Sequence, residues 1–386
     1  MNFCFLFALN IIQAYANNQH KIAEEMLTNP FLKAMSICEG TVSILDAGCI
    51  VYSRIWCIFE LFKSVMNGDN SNYEFDVYTE IEIDGDSGAV GITHSYIPSD
   101  YESSYYKMLR ESKFPLDRIL QATNVDVKQA QASVESDRKF ILNTITGLSV
   151  DDAVMDDHAN YDELNNILRG IFVIPALERI IKETADVHTI TRCLEIVKTS
   201  NARIIELDLR HCSNFDDNLL IKLVDSLPSS TLTEFLLSWS TSRALHCTDG
   251  VSESLGKLLL GYPQLVKLYL NSKYIGVDGA KVIADALKDN SNLKIFNLIG
   301  SKIEDDGVKA IADALRINHC LETLNVSRNM IGDDGAKMII DSLKVNHSLK
   351  ALNLSSNDIS VDGVKYLSRI KQELIDDINR DISIQW

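Results

Sequence analysis

The sequence predicts an α/β chain whose main body is a curved solenoid, with parallel strands inside and helices outside. An incomplete α/β segment and a helical connector precede it. Two observations carry this reading. A unit of 28 residues occurs four times in succession, opened by Leu265, Leu293, Leu321 and Leu349. Within each unit the apolar spacing then switches from two residues to a helical interval, and self-similarity at a fixed period is the mark of stacked supersecondary units.

Each unit begins L-x-x-L/F-x-L/V. Leu265, Leu268 and Leu270 suit a short strand entering a buried turn, with Val266, Lys267 and Tyr269 pointing outward. An isoleucine follows ten residues after the opening leucine (Ile275, Ile303, Ile331, Ile359). Asp-Gly comes next, at 278–279, 306–307, 334–335 and 362–363. Ala280, Ile283, Ala284 and Leu287 then recur as one face of an amphipathic helix. The aspartate is expected to accept a backbone N–H at the helix start, and the glycine to relieve a turn. Asn290, Asn318 and Asn346, just past the helices, are expected as left-handed C-caps. One strand and helix cannot bury their own apolar face, so neighbours must stack.

The pattern weakens upstream but persists. Ile204, Leu207 and Leu209 read as a strand with Asp217 at the aspartate offset, and Leu232, Phe235 and Leu237 as another. The step from Leu232 to Leu265 is 33 residues, so Trp239–Cys247 is expected to bulge as an insertion. Asp186–Ser200 reads as a helical cap. The array thus spans 185–371 with about six repeats, followed by a tail over 372–386.

Residues 265–371 resemble leucine-rich repeats of the ribonuclease-inhibitor type, a class also found in NOD-like receptors and Ran GTPase-activating proteins. The class implies an internal ladder of asparagine or cysteine, eight residues after the opening leucine. Asn329, Asn357 and Cys212 fall on it, but Lys273 and Ser301 replace it elsewhere, so the ladder is expected to be incomplete.

The chain has 386 residues and a net charge of −17. That balance argues against a nucleic-acid or anionic-membrane binder, since both need a basic face. Eight cysteines show no paired spacing and read as buried thiols in a reducing, cytoplasmic compartment. No C-x-x-C or His/Cys cluster suggests a metal site, and no segment reads as a membrane span. Met1–Leu9 is apolar and Ala14-Tyr15-Ala16 resembles a cleavage site, but a positive n-region is missing. The stretch is therefore read as a buried strand of a domain whose beginning is missing. The sequons at Asn325, Asn346 and Asn353 are read as accidental.

In the front segment, Thr41–Asp46 reads as a buried strand and Tyr52–Leu61 as a helix opened by Ser53. Trp56 and Cys57 suit core packing. Glu60 sits among aromatic and aliphatic neighbours and must find a partner or face a cleft. Arg54-Ile-Trp-Cys-Ile-Phe-Glu60 after a strand resembles the Ser/Arg-Trp-Cys-x-x-Glu motif of Toll/interleukin-receptor (TIR) domains. Ala14–His20, Phe31–Met35, Asp126–Ser133 and Asp137–Leu142 extend the likeness to a TIR-like family of unicellular eukaryotes. The resemblance implies a domain over 1–115 that self-associates, and in NAD-cleaving members it makes Glu60 the catalytic residue. About forty residues precede Thr41, too few for the first strand, first helix and nucleotide loop of a complete domain. A carboxylate alone cannot position NAD, so activity from this chain is not expected. Asn17–His20 suit a polar loop as well as a site.

Tyr73–Ile83 alternates as a strand, with Phe75 and Val77 facing inward, and Asp84–Gly88 reads as a turn. Residues 94–108 read as an irregular surface segment. Over the connector, 116–184, Pro115–Leu142 reads as helical, Thr146–His158 as an acidic loop and Tyr161–Thr184 as helix. His20, His94, His158 and His188 receive no role.

Three functions follow. The first is a non-enzymatic receptor or scaffold that binds a protein through the concave strand face. One column there holds Asp208, Leu236, Tyr269, Asn297, Asn325 and Asn353, and another Lys267, Ile295 and Thr323. The candidate contact residues are Lys267, Tyr269, Ile295, Asn297, Thr323, Asn325 and Asn353; a merely solvated asparagine column is the alternative. The second is NAD hydrolysis by Glu60, with NAD as substrate and no cofactor. The third is a Ran-type GTPase activator, ranked last because the tail is short.

Overall fold

The computed structural model describes residues 40–45, 53–65, 74–83, 86–93, 111–184, 186–210, 212–239, 248–272, 275–378 and 382–386. The chain divides into two compact units, Met1–Arg179 and Ile180–Trp386.

In the first unit, β1 (Gly40–Leu45) and β2 (Glu74–Ile83) run parallel, with α1 (Ile55–Val65) between them in sequence. A parallel pair requires such a crossover. β3 (Asp86–Thr93) returns antiparallel to β2, so a strand begins where a turn was expected. Val77 faces inward as expected, beside the buried Asp76 and Thr79. Ile55, Ile58 and Phe59 bury one face of α1. The ring of Phe59 meets Phe140 edge-on, with centroids 6.5 Å apart. The expected single helix over Pro115–Leu142 is instead broken. It comprises α2 (Leu116–Ala122), a 3₁₀ turn (Val127–Gln129) and α3 (Glu135–Thr146). The Asp126 side chain caps the 3₁₀ turn by accepting from Lys128 N, and α3 ends on Gly147 at φ 76°. Asp126 is the local reason for the break, and Gly147 ends α3. Main-chain bonds tie the start of α1 to the segment between the 3₁₀ turn and α3, and Arg118 of α2 ties that region to the sheet. Ile55 N donates to Gln131 O at 2.9 Å and Gln131 N to Ser53 O at 2.8 Å. Arg118 donates to the Thr79 hydroxyl and to Glu80 O, the latter at 2.7 Å. α4 spans Ala159–Glu183.

The second unit opens with α5 (Val187–Thr199), whose N-cap Asp186 accepts from His188 N and Thr189 N. Strands and helices then alternate. The strands are β4 (Ile204–Leu209), β5 (Glu234–Trp239), β6 (Lys267–Asn271), β7 (Ile295–Asn297), β8 (Thr323–Asn325), β9 (Ala351–Asn353) and β10 (Ser383–Gln385). Between them lie α6 (Asp217–Asp225), α7 (Asp249–Leu260), α8 (Gly276–Asp289), α9 (Glu304–Leu315), α10 (Asp333–Ser342) and α11 (Val361–Ile378). All neighbouring strands pair parallel, in chain order, into one seven-stranded sheet, and successive helices pack on one another. The array is the predicted solenoid. β10 lies in the segment read as a tail, which thus supplies a further strand.

Per repeat the core is Leu265, Leu268, Leu270, Ile275, Ala280, Ile283 and Leu287, all at 1% exposure or less. Each large aliphatic side chain so buried contributes about 1.5–3 kcal/mol. The register corrects the first repeat. Ile205 pairs with Phe235, and Phe235 with Leu268, so the residue equivalent to Leu265 is the buried Ala202, not Ile204. Cys212 still serves the ladder, its thiol donating to Ile181 O at 3.7 Å. The expected insertion over Trp239–Cys247 lies outside the described residues beyond Trp239.

Candidate interaction face

Three sets of polar groups fasten each repeat to its neighbour and hold the outward strand positions in line. The first is the expected ladder. Asn357 Oδ1 accepts from Asn329 N and Ile331 N at 2.7 and 3.1 Å, and Asn329 Oδ1 accepts from Ser301 N at 2.7 Å. Their amides donate back to Val326 O and Leu298 O at 3.0 and 2.7 Å. It breaks at Ser301, which is fully buried and whose Oγ has no partner. Lys273 is outside the described residues.

The second set corrects an expectation. Asn290 is extended (φ −73°, ψ 129°), and neither Asn318 nor Asn346 has a positive φ. They do not end helices in the left-handed region. Instead Asn346 donates to Leu315 O and Asn318 O at 2.8 and 2.7 Å and accepts from Leu349 N at 2.9 Å. Asn318 repeats the pattern one turn earlier, on Leu287 O, Asn290 O and Leu321 N. Each amide therefore satisfies a carbonyl at the end of the preceding helix and the N–H that starts its own strand.

The third set replaces the expected role of Asp-Gly. Asp278 and Asp306 lie inside α8 and α9, whose N-cap positions carry no side-chain cap. In the first repeat the cap is Asp216, which accepts from Leu219 N, rather than Asp217. Asp305 and Asp333, one residue before Asp306-Gly307 and Asp334-Gly335, each bond forward to backbone of the next repeat. Asp305 Oδ1 accepts from Gly332 N, and Asp333 Oδ1 from Ser360 N, both at 2.7 Å. The hydroxyl and N–H of Ser360 hold the Asp333 carboxyl below the usual range. The paired glycine is a close-approach residue, not a turn. A Cβ at Gly335 would meet Asp305 Oδ1 and, at 2.7 Å, Val308 Cγ1; one at Gly363 would meet Asp333 Oδ1. Asp249-Gly250, unread in the sequence, belongs to the same series: Ile221 Cδ1 would lie 3.1 Å from a Gly250 Cβ.

On this frame the outward positions form two columns. Glu234, Lys267, Ile295, Thr323, Ala351 and Ser383 are paired in one. The other is Glu206, Leu236, Tyr269, Asn297, Asn325, Asn353 and Gln385. Lys267, Ile295 and Thr323 thus share a column as expected. Asp208 does not belong beside Leu236, because it pairs with Ser238; the same two-residue slip that displaced Ile204 displaced it.

Charges on the face are neutralised locally. Lys267 Nζ lies 2.7 Å from Glu234, which raises the lysine's pKa. Arg210 holds Asp208 at 2.6 Å and lowers its pKa. At the strand starts Glu322 lies between Lys350 and Lys294, at 2.5 and 3.4 Å, and the Lys350 bond leads the downward shift of its carboxyl. Asn297, Asn325 and Asn353 turn their Oδ1 atoms onto the N–H two residues on, of Ile299, Ser327 and Ser355, at 2.9, 3.0 and 2.9 Å. Glu60 lies in α1, but its side chain is outside the described residues, as is that of Trp56. Among the described residues no cluster is placed to hold a metal, and no helix is long and apolar enough to cross a membrane.

The strand–helix geometry defines a leucine-rich-repeat solenoid. The family model for the leucine-rich repeat matches residues 289–312, 318–339 and 345–368, so these segments are leucine-rich repeats. No curated protein matches the chain. Among solved structures, the chain is similar to actin-binding site 2 of leiomodin-1, at 19% identity and TM-score 0.30. That match covers 34% of this chain and 76% of that one. It is also similar to a protein from Bacteroides fragilis at 20% identity and TM-score 0.31, over 51% of this chain and 59% of that one.

Proposed function

We propose that the chain is a receptor-like or scaffold protein of the cytoplasm that captures a protein partner on the outward face of its repeat sheet. The observation that supports this is the placement of Leu236, Tyr269 and Ile295 on adjoining strands, part-exposed, with Lys267 and Glu234 beside them already paired. Part-exposed aromatic and aliphatic groups on rigid strands, ringed by satisfied polar groups, have the make-up of an interface centre. The ligand is a macromolecule because the outward positions extend across seven paired strands, a span wider than a small-molecule site.

A photo-crosslinking residue at Tyr269, with a control at the exposed Lys281 of α8, tests the reading in cell extract. A discrete protein adduct from position 269, missing from position 281 and lost on Leu236→Asp, is expected. Equal adducts from both positions, or none from 269, would overturn it.

A further inference from the structure

The two halves of the face differ in kind. On β4–β6 it carries Glu206, Asp208 and Glu234 beside Leu236 and Tyr269. On β7–β9 the outward strand positions are Ile295, Asn297, Thr323, Asn325, Ala351 and Asn353, with no ionisable group among them. In a chain with 54 acidic residues and a net charge of −17, Glu322 at the start of β8 is held by two lysines. Lys350 is 69% exposed at the side chain, and Arg328 is exposed at the opposite end of β8. Lys294, Lys350 and Arg328 thus outnumber Glu322 and the exposed Asp358 beyond β9.

The three asparagines add directed donors. Each Oδ1 is committed to its own backbone, which fixes the plane of the amide. The Nδ2 groups donate to nothing among the described residues. Register places Asn297, Asn325 and Asn353 on consecutive strands, so like-oriented donors recur about every 4.8 Å across the sheet. A row of amide donors on strands that start beside lysines, with no carboxylate among the outward strand positions, complements carbonyl and carboxylate oxygens.

We propose that the β7–β9 half of the face takes an acidic segment of a protein partner, its carboxylates and carbonyls held by the amides of Asn297, Asn325 and Asn353, with Lys294 and Lys350 at the strand starts adding positive charge. This rests on the outward face being the interaction surface, and it names the partner's chemistry.

Asparagine-to-aspartate substitution tests it, because Asp keeps the Oδ acceptor that the backbone N–H needs and removes the donor. The full chain is titrated against a fluorescein-labelled ten-residue alternating Glu-Gly peptide, with Lys-Gly and Gln-Gly peptides as controls, and anisotropy is read. Saturable binding of the Glu-Gly peptide alone is expected, weakening with salt. The double variant Asn325→Asp, Asn353→Asp should bind at least about a hundredfold more weakly at an unchanged melting temperature, since each bond to a charged acceptor is worth about tenfold or more. Should that variant melt lower, Lys350→Gln supplies the same reading without touching a backbone bond, with binding weakened about fivefold. No saturable binding, equal binding of the Gln-Gly peptide, or indifference to both variants would overturn the proposal. A surviving crosslink at position 269 alongside such a failure removes the acidic partner alone, not the interaction face.

Discussion

Gly335 lies inside α10, where helix propensity alone favours alanine by about 1 kcal/mol. The structure reverses that sign. A Cβ at Gly335 would sit 2.7 Å from Val308 Cγ1 and 2.9 Å from Ile331 Cγ2, and closer still to Asp305 Oδ1. Overpacking of this kind costs about 1–3 kcal/mol. Moving Asp305 also weakens its 2.7 Å bond to Gly332 N, a charge-assisted bond worth about 1.5–3 kcal/mol. Gly335→Ala is therefore expected to destabilise by about 2–3 kcal/mol. Gly256, inside α7, is the control. Its nearest neighbour would be Val282 Cγ1 at 3.4 Å, an ordinary contact, so Gly256→Ala should stabilise by about 0.5–1 kcal/mol. Urea melts read by far-UV circular dichroism measure both, and Asp305→Ala closes a double-mutant cycle. Gly335→Ala should cost less in the Asp305→Ala background, where the nearest obstruction is gone. A stabilised Gly335→Ala, or a cost unchanged by removing Asp305, refutes the assignment of this glycine to helix–helix approach.

Asn346→Ala removes two donor bonds and leaves Leu315 O and Asn318 O short of partners in the core; a loss of about 2–4 kcal/mol in the same melts is expected, and a loss under about 1 kcal/mol would contradict the ladder. Ser301→Asn should continue the row of Asn329 and Asn357 and remove an orphaned hydroxyl, raising stability by about 1 kcal/mol; a lowered midpoint means the site cannot accept the amide. Glu322 titrates below its ordinary value in the folded chain because Lys350 bonds its carboxylate. A depressed folded value means that its contribution is present above the unfolded carboxylate range and lost as pH falls through the lower folded value. Glu322→Gln should therefore flatten the stability profile on the acid side of about pH 4.5, and an unchanged slope there would show that the pairing is absent in solution.

The solenoid was legible from sequence because the period is constant over four copies and its apolar positions are unambiguous leucines. Legibility failed where the marker residues changed. Ala202 opens the first repeat without a leucine's signal, and Ile204, two residues on, imitates it; that slip carried Asp208 into the wrong column. β3 (Asp-Ser-Gly-Ala-Val-Gly-Ile-Thr) holds two glycines and lacks the alternation that marks a strand. β10 contributes only three residues and follows no repeat. For Asp-Gly and for the asparagines past the helices, spacing showed that they recur but not what they touch. Local rules for caps and turns then supplied plausible roles within one repeat, whereas the actual partners are about 28 residues away in the neighbouring copy. The columns of Lys267, Ile295 and Thr323 and of Tyr269, Asn297, Asn325 and Asn353 emerged from period alone. That the asparagine carbonyls are spent on their own backbone did not.

The buried amides of Asn318 and Asn346 bond to main-chain carbonyls, not to side chains. What this seam demands of the preceding repeat is therefore a peptide oxygen at a set height, whatever residue bears it. At this seam the residues bearing those carbonyls can change without breaking the bonds, and exchange between the copies ending in Asn318 and Asn346 leaves each amide facing the same two oxygens. Side chains on the outward strands are left to vary under selection for whatever they grip, while the seam that aligns them stays indifferent to the change.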